Sequence, residues 1–324
     1  MKIVTLGEIM LRLTPSGYDR FVQTASFEAH YGGAEANVAA ALANWGEDAL
    51  FVSKVPDHEI GQAAVDALRA VGVDTRGVLR GGERVGIYYA ERGADRRASK
   101  VIYDRANSAF ALSRADEYDW DKIFAGADWF HITGITPALG KNAEEVALSA
   151  CKAAKARGVT VSCDVNYRSK LWDKEHAAKT LEKLLGYVDV CIVNENQARE
   201  LFGAPEEGTA AYMAEKFGFA CVALTYRRTI DALHNKIWSE LFMGGQSVQS
   251  PVYSMEMIDR IGGGDAFAAG LIYALGHKYG LQKAAGFAEA VSCLKHSIPG
   301  DVCLCSLEEA RSLAENEGNA KVSR

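Results

Sequence analysis

The sequence predicts an α/β protein with a mostly parallel central sheet, helices on both faces and a small additional β-sheet flap. Three observations predict it. From Trp129 onward, short apolar strands alternate with amphipathic helical stretches, which is the rhythm of a parallel sheet. A β-rich hairpin pattern at residues 85–105 stands apart from that alternation. A triple-glycine turn, Gly262-Gly263-Gly264, runs directly into an apolar stretch with helical spacing, Ala266 to Tyr279.

Taken in order, Lys2 to Leu6 reads as a strand that ends at Gly7-Glu8, a natural place for a sheet strand to meet a site. Residues 11–31, with Pro15 and Gly17, read as short strands or loop. Gly32-Gly33 opens a helix that closes at Gly46, with Val38, Leu42 and Trp45 on one face. That glycine entrance suits either a ligand or a tightly packed helix start. Ala49 to Val55 reads as a strand, Ile60 to Val71 as a helix, and Val78-Leu79 as part of a further strand. In the hairpin, period-2 geometry groups Ile87 with Tyr89 on one arm, and Val101, Tyr103 and Arg105 on the other. Tyrosines and an arginine then project together from a flap over a site, while Arg92, Arg96, Arg97 and Lys100 read as a solvated tip.

The alternating half runs through strand Trp129–Thr133, helix Ala143–Ala156, strand Val159–Asp164, helix Lys174–Leu185, strand Val188–Val193, helix Glu195–Phe202 and strand Cys221–Thr225. Ligands of such sheets gather outside the carboxyl ends of the strands. Those ends carry Asp164-Val165-Asn166-Tyr167-Arg168, then Asn194-Glu195-Asn196-Gln197, then Thr225-Tyr226-Arg227-Arg228. A hairpin around Ile237 to Val252 precedes the glycine turn. Helices Leu281–His296 and Leu307–Ala314 then bracket the turn Ile298-Pro299-Gly300-Asp301, and the tail from Glu315 reads as polar and frayed.

The glycine turn carries the chemistry. Glycines without Cβ atoms let the backbone approach a ligand, and a helix N-terminus presents unpaired amides and a positive dipole end to an anion such as phosphate. Asp265, in the first turn, sets a carboxylate beside that anion site, the arrangement of a base next to a phosphate cradle. Asp is also a favoured capping residue, so a plain helix start has the same local pattern. The turn is not a Walker A loop, since no Gly-Lys-Ser/Thr follows. Nor is it a dinucleotide fingerprint, since Phe267 stands where a third glycine is required.

Composition narrows the class. A 324-residue chain with 48% hydrophobic and 24% charged residues is ordinary for a globular protein. No apolar run approaches the roughly 20 residues of a membrane span, and the N-terminus reads as a strand without a signal-peptide core, so a cytoplasmic location is expected. The net charge of −6 argues against a nucleic-acid surface, and an anionic substrate therefore needs a local basic pocket. The seven cysteines are scattered, without Cys-x-x-Cys spacing, and read as reduced, buried thiols.

The two glycine segments together, Gly32-Gly33-Ala34-x-x-Asn37-Val38-Ala39 and Asp259-x-x-Gly262-Gly263-Gly264-Asp265, resemble the two signatures of the ribokinase-like (PfkB-type) carbohydrate kinases, and the match runs in order over nearly the whole chain. Within that family the chain is most similar to the 2-keto-3-deoxygluconate kinases, through Gly7-Glu8-Ile9-Met10-Leu11-Arg12, Asp164-Val165-Asn166-Tyr167-Arg168 with Leu171-Trp172, and Lys295-His296-Ser297-Ile298-Pro299-Gly300-Asp301. The resemblance implies one kinase domain over residues 1–324, with a β lid from about residues 11–31 and 85–106 inserted in the α/β core. It implies ATP and Mg²⁺, with K⁺ as a further cation, and transfer to the primary hydroxyl of a sugar acid; an exposed lid sheet that buries its outer face against a partner would make a homo-oligomer, a dimer through the lid or a higher assembly. Position by position, it implies Asp265 as catalytic base and Gly262, Gly263 and Gly264 as the anion hole. Gly33, Tyr89, Tyr103, Arg105, Arg168 and Asp301 would be the substrate contacts. Asn166, Asn194, Thr225 and Arg227 would approach the nucleotide, Mg²⁺ would be held mainly through the ATP phosphates, and Asp259 would lie near a monovalent cation.

The chain departs from the family pattern at Asn194-Glu195-Asn196-Gln197, where Gln197 replaces the usual glutamate; metal handling is then weaker or passes through Glu195. Residues 301–305 and the strand after Thr225 also differ. Fructokinase is the alternative within the class, and a regulatory module that binds nucleotide or sugar without turnover is the alternative outside it. A Rossmann dehydrogenase is disfavoured because no Gly-x-Gly-x-x-Gly follows the first strand.

Overall fold

The computed structural model describes residues 1–316; of the polar tail expected from Glu315, everything past residue 316 lies outside the described residues. In chain order the strands are β1 (Lys2–Leu6), β2 (Met10–Pro15), β3 (Phe27–Gly32), β4 (Asp48–Val55), β5 (Asp74–Arg80), β6 (Gly86–Glu91), β7 (Lys100–Asp104), β8 (Trp129–Thr133), β9 (Thr160–Asp164), β10 (Val190–Asn194), β11 (Cys221–Thr229), β12 (His234–Met243), β13 (Gln246–Gln249) and β14 (Tyr253–Glu256). The helices are α1 (Ala34–Asn44), α2 (Glu59–Arg69), α3 (Trp120–Ile123), α4 (Lys141–Ala156), α5 (Lys174–Leu185), α6 (Glu195–Phe202), α7 (Thr209–Phe217), α8 (Gly263–Gly276), α9 (Leu281–His296) and α10 (Leu307–Glu315).

Ten strands form the central sheet in the order β13-β12-β11-β10-β9-β8-β1-β4-β5, with β14 paired to β12. From β11 to β5 the pairings are parallel, and only the β12 side is antiparallel. Parallel strands buried on both faces need apolar side chains on both. Ile3 accordingly packs with α1, α2, α8 and α9 on one face, while Val4 and Leu6 pack with α4, α5, α6 and α7 on the other. The chain leaves β1 toward β4 on one side and later returns to β8 on the other, so β1 is the topological switch point where ligands of such sheets bind.

A separate four-stranded sheet, β3-β2-β6-β7, stands over that point. The β6–β7 register sets Tyr88 opposite Tyr103 and Tyr89 opposite Ile102. The face expected for Tyr89 therefore belongs to Tyr88. Tyr89 turns the other way, against Phe21 and Phe27 at ring-centroid distances of 6.4 and 6.0 Å.

Other differences from expectation are local. Helix α8 begins at Gly263 and ends at Gly276, so the glycine turn is its first turn rather than a lead-in to Ala266–Tyr279. Helix α7, closed by left-handed glycines at both ends (Gly208 and Gly218), and strand β14 are further elements that the sequence reading did not include. Among the described residues no helix is long and apolar enough to cross a membrane.

Candidate active site

The carboxyl end of β1 and the N-termini of α1 and α8 meet beneath the second sheet. Their meeting point is a pocket of about 410 Å³ whose lining includes Gly33, Tyr103, Arg105, Asp164, Arg168 and Asp265. Close backbone packing shapes it. Gly262 has φ +83°, and a Cβ there would run into the Asp301 carbonyl oxygen, so only glycine gives this turn. A Cβ on Gly33 would run into the Glu8 carbonyl oxygen, which lets α1 start directly against the end of β1.

At α8 the first intrahelical bond runs from Ala266 N to the Gly262 carbonyl at 2.9 Å. The amides of Gly263, Gly264 and Asp265 precede any intrahelical acceptor, and among the described residues none has another acceptor. A Cβ on Gly264 would meet nothing within 4 Å, so its surface belongs to the pocket. Free amides at a helix N-terminus beside open space form an anion cradle.

Asp265 faces the same space. Asn37 Nδ2 donates to Asp265 Oδ2 at 2.7 Å, and Asn37 Oδ1 accepts from Gly33 N at 3.3 Å. Although one side of the Asp265 carboxyl reaches the pocket, burial pushes its pKa up to about 6; the Asn37 bond and Arg168 oppose the rise. The rise brings the carboxylate nearer the pH at which a general base is most effective. Asp164 lies close by, pushed up to about 7 by burial and by the charge of Asp265.

The arginines divide by partner. Arg12 is fully buried: Nη2 donates to Asp259 Oδ2 at 2.7 Å, Nη1 to Asp301 Oδ2 at 3.0 Å and Nε to Thr14 Oγ1 at 2.8 Å. Tyr88 OH donates to the other Asp301 oxygen. Asp301 thus lines the pocket, as expected, but as an anchored carboxylate. Asp259, assigned by resemblance to a monovalent cation, has the Arg12 guanidinium as its positive partner, and its oxygens also accept from Ile261 N and Gly300 N at 3.1 Å each.

Arg105 donates through Nε to Glu8 Oε2 at 2.8 Å and through Nη2 to the same oxygen, so its charge is offset within the protein. Glu8 Oε1 is buried without a hydrogen-bond partner among the described residues. Arg168 and Arg260 line the pocket with no acidic partner among the described residues. With Arg227, which lines the pocket too, they are the positive charges available to an anionic ligand.

A second recess of about 210 Å³ shares Gly264 and Arg227 with the pocket and is lined by Asn194, Thr225, Phe267 and Glu289 among others. Asn194 caps α6 through its carbonyl oxygen and donates from Nδ2 to the Thr225 carbonyl at 3.2 Å, tying two strand ends together. Arg227 Nη2 donates to His296 Nε2 at 3.4 Å. His296 stays neutral, its pKa pushed down to about 4 by burial and by Arg227, with Nδ1 donating to the Ser292 carbonyl at 2.6 Å. Asn166 lines the first pocket rather than this recess. Gln197 clamps the Tyr167 backbone, accepting from its N at 3.4 Å and donating to its O at 3.2 Å, while Glu195 pairs with Arg199 at 3.0 Å. Neither side chain of that motif turns to the pocket.

The structure therefore gathers Gly33, Tyr103, Arg105, Arg168, Asp301, Asn166 and Asp265 around one pocket and Asn194, Thr225 and Arg227 around its neighbour, and it sets Tyr89 apart from both. Glu8, Arg12, Asn37, Tyr88, Asp164 and Arg260 were not singled out as site residues. Of these, Glu8 and Asp164 had a visible signal as strand ends, Asn37 as part of a glycine signature, and Arg12 as part of a stretch that carries the resemblance.

Comparison with known proteins places the chain in a family. The family model for pfkB family carbohydrate kinases matches residues 1–302. A 2-dehydro-3-deoxygalactonokinase of Haloferax volcanii is 33% identical over 325 residues, 100% of this chain and 99% of the relative. A 2-dehydro-3-deoxygluconokinase of Bacillus subtilis is 29% identical over 303 residues, 92% of this chain and 90% of its own. The crystal structure of the 2-dehydro-3-deoxygluconokinase of Thermotoga maritima, 47% identical, superposes with a TM-score of 0.95 over 97% of this chain and 99% of that one.

Proposed function

The chain belongs to the pfkB family of carbohydrate kinases, and from that premise we propose that it moves the terminal phosphoryl group of ATP to the primary hydroxyl of 2-keto-3-deoxygluconate (2-dehydro-3-deoxygluconate), giving the 6-phosphate. The observation that carries the reading is the Asp265 carboxylate beside the free amides of α8, in a pocket lined by three arginines, Arg168, Arg227 and Arg260, that have no acidic partner among the described residues. A sugar acid brings the complementary carboxylate, and a guanidinium fork suits it.

In this reading Asp265 accepts the proton of the attacking hydroxyl, and Asn37 aims the carboxylate. The amides of Gly262 to Gly264 hold the charge of the phosphoryl group in flight, where positioning and neutralisation matter more than base strength. Arg168 takes the substrate carboxylate, and Tyr103, Gly33 and Asp301 bound the sugar. The second sheet acts as a lid that keeps water from the reacting atoms. Mg²⁺, when bound, would offset phosphate charge and would be held mainly by the ATP phosphates, with Asp164 and Asn166 among the oxygen-bearing residues that line the pocket. The outer lid face carries Phe27 and Ile102, 41% and 46% exposed, which a second copy of the chain would cover in a dimer.

Coupled ADP release over a panel of sugars tests the reading. The panel holds 2-keto-3-deoxygluconate, its galactose-derived epimer, fructose and ribose. Sugar acids should exceed neutral sugars in kcat/KM; preference for fructose or ribose would end the substrate assignment and leave the kinase class. The epimer belongs in the panel because the Haloferax relative spans the whole chain.

A further inference from the structure

The second recess holds a group that the chemistry above does not use. Glu289, on α9, is 3% exposed and lines the recess, and its Oε2 has no hydrogen-bond partner among the described residues. Ser239 on β12 stands beside the carboxyl, short of hydrogen-bond geometry, and its Oγ is likewise unpaired. Burying a polar group without a partner is costly, and a ligand that supplies the missing donor removes the cost.

Charge decides which part of a ligand that is. Glu289 is the one acidic residue among the described lining residues, whereas the passage to the sugar pocket carries Arg227 and the Gly264 amide. Phosphates belong at the passage, and an unpaired carboxyl repels them. Near Glu289 the walls include Phe267 and Ile237, which suit the flat apolar face of a base. We propose that Glu289 selects the base of the phosphoryl donor by accepting a hydrogen bond from the exocyclic amino group of a purine, an inference that rests on the kinase reading above. Burial pushes the carboxyl up to about 7, with Ser239 and Arg227 opposing; the ionised carboxylate accepts only, so the preference for an amino group over a carbonyl oxygen is full above that pH.

The test compares ATP with inosine triphosphate, which has a carbonyl oxygen where ATP has its amino group, at saturating sugar acid. The intact protein should favour ATP at least tenfold in kcat/KM. Glu289→Ala should bring the ratio near unity with the KM for the sugar unchanged. Glu289→Gln, nearly the same shape but able to donate as well as accept, should also lose most of the preference while keeping turnover, and guards against a folding defect in the alanine variant. An intact protein indifferent to the two donors, or a Glu289→Ala variant with the original ratio, overturns the assignment while leaving the kinase reading in place. Absence of turnover with any donor would instead overturn that reading, and this one with it.

Discussion

Asn37 and Asp265, far apart in the chain, are joined by a 2.7 Å hydrogen bond from the amide Nδ2 to the carboxylate Oδ2. The first glycine segment thereby aims the acid of the second. Because that bond holds the Asp265 pKa down, Asn37→Ala should lower kcat and move the acid limb of the rate profile to higher pH. Profiles of kcat/KM for both proteins check this; an unmoved limb would show that Asn37 serves only packing.

The acid limb itself follows from Asp265. The base works when ionised, so activity should be full above its pKa of about 6 and fall as pH drops through that value. Asp265→Asn removes the base without removing volume. Turnover should then fall by about 10²–10⁴-fold, with KM for either substrate little changed. Residual turnover close to that of the unaltered protein would move the base to another group, Asp164 first.

Two neighbouring glycines should fail differently. A methyl group on Gly264 enters open pocket, so Gly264→Ala should melt like the parent protein while losing about 10²–10³-fold in kcat as the anion cradle is obstructed. A methyl group on Gly263 collides with the buried His296 ring, held by its bond to Ser292, so Gly263→Ala should lose about 1–3 kcal/mol of stability. Melting curves and single-turnover rates for the pair separate the two effects.

Why some of this was legible in the sequence and some was not comes down to range. The parallel strands and their helices follow from local periodicity, and strand β8 and helices α5, α6 and α9 lie where that periodicity sets them. The anion cradle is local too, since three glycines and an aspartate in a row need no partner to be seen. Arg12 was hidden because β2 sets Leu11 and Leu13 on the less buried face and turns Arg12 inward beside Met10 and Thr14. Only Asp259 and Asp301, brought from the far end of the chain, make that inversion affordable. Between the adjacent Tyr88 and Tyr89, one must face the site, and the pairing with β7 that chooses is a register across a loop of irregular backbone. The offset of Arg105 by Glu8 is likewise a contact between segments with no sequence signal linking them.

That last contact separates two arginines that the sequence treats alike. Arg168 has no salt-bridge partner among the described residues, so Arg168→Ala removes a ligand contact and, well above the Asp265 pKa, little else. Its KM for a sugar acid should rise by the equivalent of about 1.5–3 kcal/mol, with little change for a neutral sugar and none in the melting curve. Arg105 is the sole cation bonded to the buried Glu8 carboxylate among the described residues. Removing it leaves that charge uncompensated, so Arg105→Ala should cost about 3–5 kcal/mol of stability. Adding Glu8→Gln to Arg105→Ala should recover much of the loss, because the stranded charge is gone. Chemical denaturation of the three proteins, beside KM for gluconate-type and neutral substrates, decides the matter. Should Arg105→Ala melt normally and lose affinity for acids alone, Arg105 rather than Arg168 is the carboxylate's partner.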